Sequence, residues 1–432
     1  KPRAGRFYVF GVTMSLKMQA AMPKKSDKPS AKNRDCQNFK REKNNLPFQL
    51  TDKSCNLDIS IRQERKKTLI FSFFSGAGFL DLGFELSGFD IAFVNEVHPP
   101  FLEAYKYSRS RMDIPKPKYG YFEGSIDECL YAEKAKDLAG WVKKEKQNGI
   151  IVGFIGGPPC PDFSIAGKNK GRDGENGKLS QSYVDLICKN QPDFFVFENV
   201  KGLYRTAKHR EFFNALKRQL SDFGYVCTEK LINAIEYGVP QDRERIILVG
   251  FLSQHVDALQ KFDWDAHISF PDALEKDWPT TEEVGRVVSQ PANIYPELTV
   301  QYWFDRNGVD THPNASKHFQ PRAGLEKFQT ISEGDDKKKS YKRLHRWRYS
   351  LTAAYGNNEV HIHPYLPRRI SAAEALAIQS LPKEFELPDN MTLSNMFKTI
   401  GNGVPFLAAK GIAMTLKSYL ENHYERTKTD GC

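Results

Sequence analysis

The sequence predicts an α/β fold built on a mainly parallel sheet, and three observations support that prediction. Short apolar runs alternate with stretches of helical periodicity between residues 68 and 251. Glycine-rich turns or polar side chains follow several of these runs directly. The chain of 432 residues is 40% hydrophobic, yet no stretch approaches the ~20 apolar residues of a membrane-spanning helix. Strands that alternate with helices form parallel sheets covered on both faces.

Five apolar runs are predicted to be buried strands, because each is short and bounded by turn residues. In chain order they are 68–74, 90–95, 150–155, 193–197 and 245–251. Helical spacing of apolar residues predicts helices over 79–87, 132–146, 181–189 and 207–223. Towards the C-terminus, Ser371 and Glu374 fit a capping box before 375–379, and a last helix is predicted from about 404 to 421.

The alternation stops near residue 252, and the following stretch is irregular, with scattered Trp, His, Pro and Tyr. The sequence therefore predicts a basic, disordered tail, a main α/β domain, a second, smaller domain and a return to the main domain. Their predicted ranges are 1–67, 68–251, 252–367 and 368–432.

The net charge of +10 is concentrated in the predicted tail. Residues 1–67 contain 17 Lys and Arg against 6 Asp and Glu, a balance of +11, which leaves the rest of the chain at −1. An argument for nucleic-acid binding must therefore rest on local patches. The seven cysteines are scattered without a CxxC pair, which predicts no zinc or other metal site and favours a reducing cytoplasmic compartment.

The first candidate site is the turn after the first strand, Phe74-Ser-Gly-Ala-Gly-Phe79. Gly76 and Gly78 allow a ligand to approach the backbone closely. Glu96 ends the second strand, 20 residues after Gly76, and an acidic residue near this offset binds ribose hydroxyls in dinucleotide folds. Asp81 occupies the place of the third glycine in GxGxxG. The pattern therefore disfavours NAD but leaves open any cofactor that contains a nucleoside.

A single cysteine occupies the second site, within Gly156-Gly-Pro-Pro-Cys160-Pro-Asp-Phe-Ser164. A lone cysteine is most often a small buried apolar residue. This one is bracketed by prolines directly after an apolar strand, at the edge where open α/β sheets bind their ligands. A rigid loop that presents a thiol there predicts a nucleophile.

Charged side chains follow two further strands. Glu198, in Phe197-Glu-Asn-Val200, is either a helix-capping acid or a general acid, and acid catalysis requires burial or a shared proton. Gln241, Arg243 and Arg245 alternate along the chain, so they are predicted to share one face as a polar clamp or as ordinary surface charge. A last turn, Ile400-Gly-Asn-Gly-Val-Pro405, precedes the final helix.

Together these motifs resemble the cytosine-5 DNA methyltransferase family in residues, order and spacing. The matching motifs are FSGAG at 74–78, Glu96, GGPPC at 156–160, ENV at 198–200, QxRxR at 241–245, RRISAAEALAIQSLP at 368–382 and IGNGVP at 400–405. Four positions depart from the usual pattern of the family, namely Phe79, Ser125, Pro161 and Thr399. None of the four removes a group that the chemistry requires.

The resemblance implies a Rossmann-like S-adenosylmethionine-dependent methyltransferase domain and a small, irregular target-recognition domain over 252–367. It implies that Cys160 adds to carbon-6 of cytosine and that Glu198 protonates ring nitrogen 3. It also implies that Arg245 bonds the exocyclic oxygen of the base and that Arg243 orients the neighbouring groups. The implied residues that bind S-adenosyl-L-methionine are Phe74, Gly76, Gly78, Glu96, Ser125, Ile126, Pro159, Asn402 and Val404.

The basic run Lys337–Arg348 is the best local candidate for contact with DNA, because it holds seven Lys and Arg with interleaved aromatic residues. A solvated charged face is the alternative interpretation. Within the run, the predicted DNA-binding residues are Lys342, Arg343, Arg346 and Arg348, and its arginines could read guanines bidentately.

The resulting hypothesis is a DNA cytosine-5 methyltransferase of a restriction-modification system, or an orphan enzyme. It is expected to be a monomer in the prokaryotic cytoplasm, associated with the nucleoid, with double-stranded DNA as its partner and no membrane. A cognate restriction endonuclease is an open further partner, without a stable complex. An RNA-directed relative acting on tRNA and a catalytically silent DNA-binding relative are the alternatives.

Overall fold

A computed structural model of the protein describes residues 67–159, 175–256, 261–321, 325–338, 340–353, 355 and 360–424. For 175 and 176 only the backbone is described. Apart from Lys67, the predicted N-terminal tail lies outside the described residues, and so does Cys160.

A seven-stranded sheet forms the centre of the described chain. Its strands are β1 (Thr68–Phe73), β2 (Asp90–Glu96), β3 (Tyr121–Glu123), β4 (Ile151–Gly156), β5 (Phe194–Val200), β6 (Tyr225–Asn233) and β7 (Glu244–Leu252). They lie in the order β3-β2-β1-β4-β5-β7-β6. All neighbouring pairs are parallel except the two that involve β7, which runs antiparallel to β5 and to β6. The prediction of a mainly parallel sheet is confirmed.

The five predicted strands are present within one to three residues at either end. The sequences of these strands are continuous apolar runs, because helices cover both faces of the sheet. Two strands were not predicted. β3 has three residues and is only partly buried, and β6 is an edge strand in which exposed and half-buried positions dominate. Neither carries the apolar run that identifies a buried strand.

Eleven α-helices are described. They are α1 (Phe79–Glu85), α2 (Pro99–Arg111), α3 (Ile126–Tyr131), α4 (Glu133–Gln147), α5 (Glu175–Asn190), α6 (Ala207–Asp222), α7 (Val300–Asn307), α8 (Leu325–Thr330), α9 (Ala372–Ile378), α10 (Leu393–Asn402) and α11 (Phe406–His423). Apolar residues of α3 to α6 form the core on one face of the sheet. Those of α1, α2 and α11 form the core on the other. None of the described helices is long and apolar enough to cross a membrane.

The predicted capping box at α9 is confirmed by its two hydrogen bonds. The Glu374 amide donates to Ser371 Oγ at 3.2 Å, and the Ser371 amide donates to Glu374 Oε2 at 2.7 Å. The final helix begins at Phe406, two residues later than predicted, because Pro405 is in extended backbone at its N-cap.

Residues 252–367 contain α7, α8 and short 3₁₀ turns, with little strand. Trp303 and Phe304 of α7 share a core with Leu376 of α9 and Phe79 of α1. This segment therefore packs directly on the elements that position the glycine-rich turn. Its boundaries at 252 and 367 stay a prediction.

Candidate active site

The carboxyl ends of β4 and β5 bring the proline-rich turn and Glu198 together. The two strands are parallel neighbours, with Gly156 opposite Phe197. Gly157 directly faces the carboxylate, since a Cβ atom at that position would lie 2.7 Å from Glu198 Oε2. Asn199 Nδ2 donates to the Pro158 carbonyl at 3.4 Å. The chain therefore leaves β4 against the Glu198 side chain, and a Cβ atom at position 157 would force the carboxylate to shift.

Glu198 forms a buried ion pair with Arg245. Arg245 Nε lies 2.9 Å from Glu198 Oε1, and the two side chains are 13% and 10% exposed. Burial raises the pKa of Glu198, while the positive charges of Arg245 and Arg243 partly oppose the shift. A carboxyl group with a raised pKa is better able to carry a proton near neutral pH. The pair thus meets the burial requirement for a general acid.

Arg243 lies deeper and holds backbone segments together. Its guanidinium donates to the carbonyls of Ala353 at 3.1 Å, Gly401 at 2.8 Å and Gly403 at 3.1 Å. Gln241 Oε1 accepts from the Ala353 amide at 3.0 Å. Burial lowers the pKa of Arg243. Arg243 is therefore placed to position the 400–405 turn, whereas Arg245 reaches the carboxylate.

Cys160 lies outside the described residues. Pro159, the last described residue before it, is exposed. The chain therefore reaches the protein surface at the carboxyl edge of the sheet just before Cys160, whose role as a presented thiol stays a prediction.

The glycine-rich turn folds back onto Glu96. Phe74, Gly76 and Gly78 all have positive φ, at 55°, 57° and 80°. The Gly76 amide donates to Glu96 Oε2 at 2.8 Å, and the His98 amide donates to Glu96 Oε1 at 2.9 Å. A Cβ atom on Gly78 would meet Tyr105 at 2.4 Å. The sequence prediction that this turn and Glu96 belong to one site agrees with these contacts.

The other predicted cofactor residues lie on elements around this turn. Ser125 caps α3 by accepting from the Asp127 amide at 3.2 Å, and Ile126 follows it in the core. Asn402 is exposed at the end of α10, and Val404 is buried two residues later.

Sequence reasoning missed several polar residues at this edge. Thr399 Oγ1 would lie 3.8 Å from a Cβ atom on Gly76. Asn95 Nδ2 donates to the Gly124 carbonyl at 2.8 Å and so joins β2 to the Ser125 turn. Burial raises the pKa of Glu96, and the amide hydrogen bonds to its carboxylate and the charge of Lys398 partly oppose this rise. Thr399 was noted only as a departure from the family pattern, and no local signal identifies Lys398.

Two buried polar atoms beside Glu96 lack a hydrogen-bond partner among the described residues. They are Ser75 Oγ and His98 Nδ1. Buried polar groups are normally hydrogen-bonded, so unsatisfied ones indicate an absent water or ligand. Together with the Glu96 carboxylate and the uncrowded backbone of Gly76, they fit a polar, ribose-bearing cofactor.

The arginines of the basic run are turned inward, whereas Lys337 and Lys338 are exposed, and this corrects the prediction for Arg343. Arg343 is fully buried, and its guanidinium donates to the carbonyls of His363 at 2.6 Å and Leu366 at 3.0 Å, and also to Phe328. Its donors are directed at backbone inside the protein. A charge count along the chain does not reveal this orientation, and the prediction that Arg343 reads DNA is wrong.

Arg346 and Arg348 are also engaged within the protein. Arg346 makes a bidentate pair with the buried Glu333, at 2.9 Å through Nε and 2.7 Å through Nη2. Arg348 donates to the carbonyls of Thr280 at 3.3 Å and Gly334 at 3.2 Å. Contact with guanine through either side chain would require breaking these bonds. Lys342 is half-buried, and its DNA contact stays a prediction.

Substitution of Arg343 by alanine is expected to lower the free energy of unfolding by about 2–5 kcal/mol, because buried carbonyls lose a charged donor. Lys342→Ala is the neighbouring control, with an expected change within about 0.5 kcal/mol. Denaturant unfolding of both variants measures the difference. An Arg343→Ala protein of unchanged stability that binds its DNA site less selectively would restore the DNA-reading hypothesis.

The sheet order, the buried carboxylate–arginine pair and the glycine turn on Glu96 agree with one family. The family model of C-5 cytosine-specific DNA methylases matches residues 68–418. The chain belongs to this family and is a DNA (cytosine-5) methyltransferase. It is 98% identical over 419 residues to the type II methyltransferase M.NmeDI of Neisseria meningitidis serogroup C, over 97% of this chain and 100% of the relative. It is 29% identical over 356 residues to M.MthTI of Methanothermobacter thermautotrophicus, over 82% and 98% of the two chains.

Solved structures share the fold. A prophage-encoded DNA modification methyltransferase (E. coli) superposes with a TM-score of 0.58 at 22% identity, over 82% of this chain and 100% of that one. The S. pombe Dnmt2 methyltransferase superposes with a TM-score of 0.51 at 14% identity, over 82% and 99%. At these identities the likeness supports the Rossmann-like α/β fold alone.

Proposed function

We propose that the protein transfers a methyl group from S-adenosyl-L-methionine to carbon-5 of a flipped-out cytosine in a specific double-stranded DNA sequence, through a covalent adduct with Cys160. The observation that carries this proposal is the buried Glu198–Arg245 pair, packed against the turn that leads to Cys160. A base stacked in a duplex cannot reach a buried carboxylate, so the cytosine must leave the stack at a cost of a few kcal/mol.

Each protein group has a distinct role in the proposed reaction. The Cys160 thiolate forms a bond to carbon-6, and ring nitrogen 3 takes a proton from Glu198, so carbon-5 becomes an enamine-like nucleophile. Arg245 bonds the exocyclic oxygen of the base, and Arg243 holds the surrounding backbone. After methyl transfer, a base accepts the carbon-5 proton, and the electrons of that C–H bond restore the 5,6 double bond and expel the Cys160 thiolate. Ring nitrogen 3 returns its proton to Glu198.

The proposed cofactor residues are the nine implied by the family resemblance, with His98, Lys398 and Thr399 added. Glu96 would hold the ribose hydroxyls through its carboxylate, and the Gly76–Gly78 backbone would lie against the nucleoside. When bound, S-adenosyl-L-methionine supplies an electrophilic methyl group on a sulfonium. The thiol has a reference pKa of ~8.5, so nearby positive charge is needed to raise its thiolate fraction at neutral pH.

The relatives named type II methyltransferases motivate the proposed biological setting. We place the protein in a restriction-modification system, as a monomer that acts on the bacterial nucleoid in the cytoplasm. A cognate endonuclease would recognise the same DNA sequence without forming a stable complex with it. Methylome mapping after expression in a heterologous host would identify the sequence and the methylated base.

Trapping with 5-fluorocytosine tests the covalent step. Duplex DNA with 5-fluorocytosine at the target site should form a denaturation-resistant complex with the protein in the presence of S-adenosyl-L-methionine. Fluorine cannot leave carbon-5 as a proton does, so Cys160 stays attached. The matched control is the same duplex with cytosine, which should be methylated and released. Methylation of the control without any trapped species would contradict the proposed adduct.

A further inference from the structure

A group of exposed cations follows the catalytic strand directly. β5 ends at Val200, two residues after Glu198, and continues into a 3₁₀ turn and α6. We define the 201–210 ridge as four exposed cationic residues on these elements or between them, Lys201, Arg205, Lys208 and Arg210. Glu211, the next residue, is the first acidic one after Glu198. The ridge is thus a local positive patch in a part of the chain that carries almost no net charge.

The ridge arginines are available for a partner. Within the described part of the chain, the guanidinium groups of Arg205 and Arg210 have no hydrogen bond or ion pair. Lys201 pairs with Glu244 at 2.7 Å, but the two side chains are 57% and 37% exposed. Exposed pairs of this kind contribute little and exchange readily.

The arginines of the ridge point towards solvent, whereas those of the basic run at 337–348 point into the protein. Arg343, Arg346 and Arg348 give their donors to internal carbonyls and carboxylates. Arginine is well suited to phosphate because its donors form a fixed fork, but only when that fork is free. The count of basic residues favours the run at 337–348 as the phosphate-binding surface, but its arginines are engaged inside the protein, whereas the guanidinium groups of Arg205 and Arg210 are exposed.

The position of the ridge fits the path of the substrate strand. An extended strand rises about 3.3 Å per residue, so Lys201 lies roughly 10 Å along the chain from Glu198. The first turn of α6 lies at the same carboxyl edge of the sheet, because α6 follows β5. A cytosine whose ring reaches Glu198 must leave its own sugar and phosphates at that edge. Neighbouring phosphates on one strand are spaced about 3.4 Å along the helix axis.

We propose that the 201–210 ridge binds the phosphates of duplex DNA beside the flipped cytosine, with Arg205 and Arg210 as its main contacts. The proposal rests on Glu198 marking the active site. Under this proposal, phosphate contacts made by the catalytic domain supply an affinity for DNA that does not depend on sequence. This affinity is separate from the recognition of bases.

The salt dependence of DNA binding tests the proposal. Each lost phosphate contact is expected to reduce the slope of log K against log salt by about 0.9, so Arg205→Ala combined with Arg210→Ala should reduce it by about 1.8. The loss of affinity should be equal for a duplex with the target sequence and for one without it. Arg205→Lys, which keeps the charge, should retain the wild-type slope.

Arg218→Ala is the matched control. Arg218 is an exposed arginine on the same helix, two turns further towards the opposite edge of the sheet, and its removal should leave slope and activity unchanged. An unchanged slope in the double variant would overturn the proposal, and so would a loss confined to the target duplex, which would indicate base reading. If the wild type methylates no DNA, the proposed function fails instead.

Discussion

Glu198→Gln is expected to slow methyl transfer by roughly 10²–10⁴-fold, the usual contribution of a general acid. Glutamine keeps an oxygen that can accept from Arg245 Nε, so the buried contact at 2.9 Å can persist. It has no acidic proton to give to ring nitrogen 3. The variant should therefore fold and bind DNA while its turnover falls.

The pH dependence of the reaction gives a second measure of the same role. Burial raises the pKa of Glu198, and the positive charges of Arg245 and Arg243 partly oppose this rise. A step that needs the protonated carboxyl slows as pH rises through that pKa, whereas thiolate formation speeds up as pH rises. The wild type should show a bell-shaped profile, and Glu198→Gln should lose the falling limb alone.

Glu229→Gln serves as the control for this experiment. Glu229 lies on the edge strand β6, opposite Leu248 of β7, and pairs with Lys217 at 3.0 Å. Its amide variant should retain turnover within a few-fold and keep both limbs of the profile. A Glu198→Gln enzyme with the wild-type profile would exclude the carboxyl as the proton donor.

The central sheet and the acidic half of the site could be predicted from sequence for one physical reason. Strands buried on both faces are apolar throughout, so Thr68–Phe73 and Ile151–Gly156 stand out, and polar residues at their carboxyl ends share one edge. Glu96 and Glu198 were found in this way. β6 was not predicted, because the sequence of an edge strand with one exposed face resembles that of a loop.

The sequence shows where a charged residue lies along the chain, but it does not predict whether the side chain points into the protein or towards solvent. Arg343 and Arg205 are both arginines in basic surroundings, yet one is fully buried among carbonyls and the other is exposed. The difference arises from contacts between segments distant in the chain, such as Arg343 with Phe328 and His363. The same holds for Arg243, whose bonds to Gly401 and Gly403 span about 160 residues along the sequence.

Cys160→Ala is expected to abolish methyl transfer, with a loss of about 10⁴-fold or more, because the ring is activated only by the covalent bond to carbon-6. S-adenosyl-L-methionine and DNA should still bind, since alanine removes one sulfur atom from the turn after Pro159. Exchange of the carbon-5 hydrogen with solvent provides a readout separate from transfer. Addition of the thiolate makes carbon-5 able to take and lose a proton, so the wild type should catalyse exchange and the variant should not.

Cys227→Ala is the control that distinguishes loss of the catalytic thiol from a general effect of replacing a cysteine. Cys227 is a free, half-buried cysteine on β6, and burial raises its pKa to about 12, which leaves it protonated. Its loss should leave transfer, exchange and 5-fluorocytosine trapping intact. If Cys160→Ala still exchanges the carbon-5 hydrogen, another nucleophile attacks the ring, and the Glu198–Arg245 pair must be serving a different thiol or a bound water.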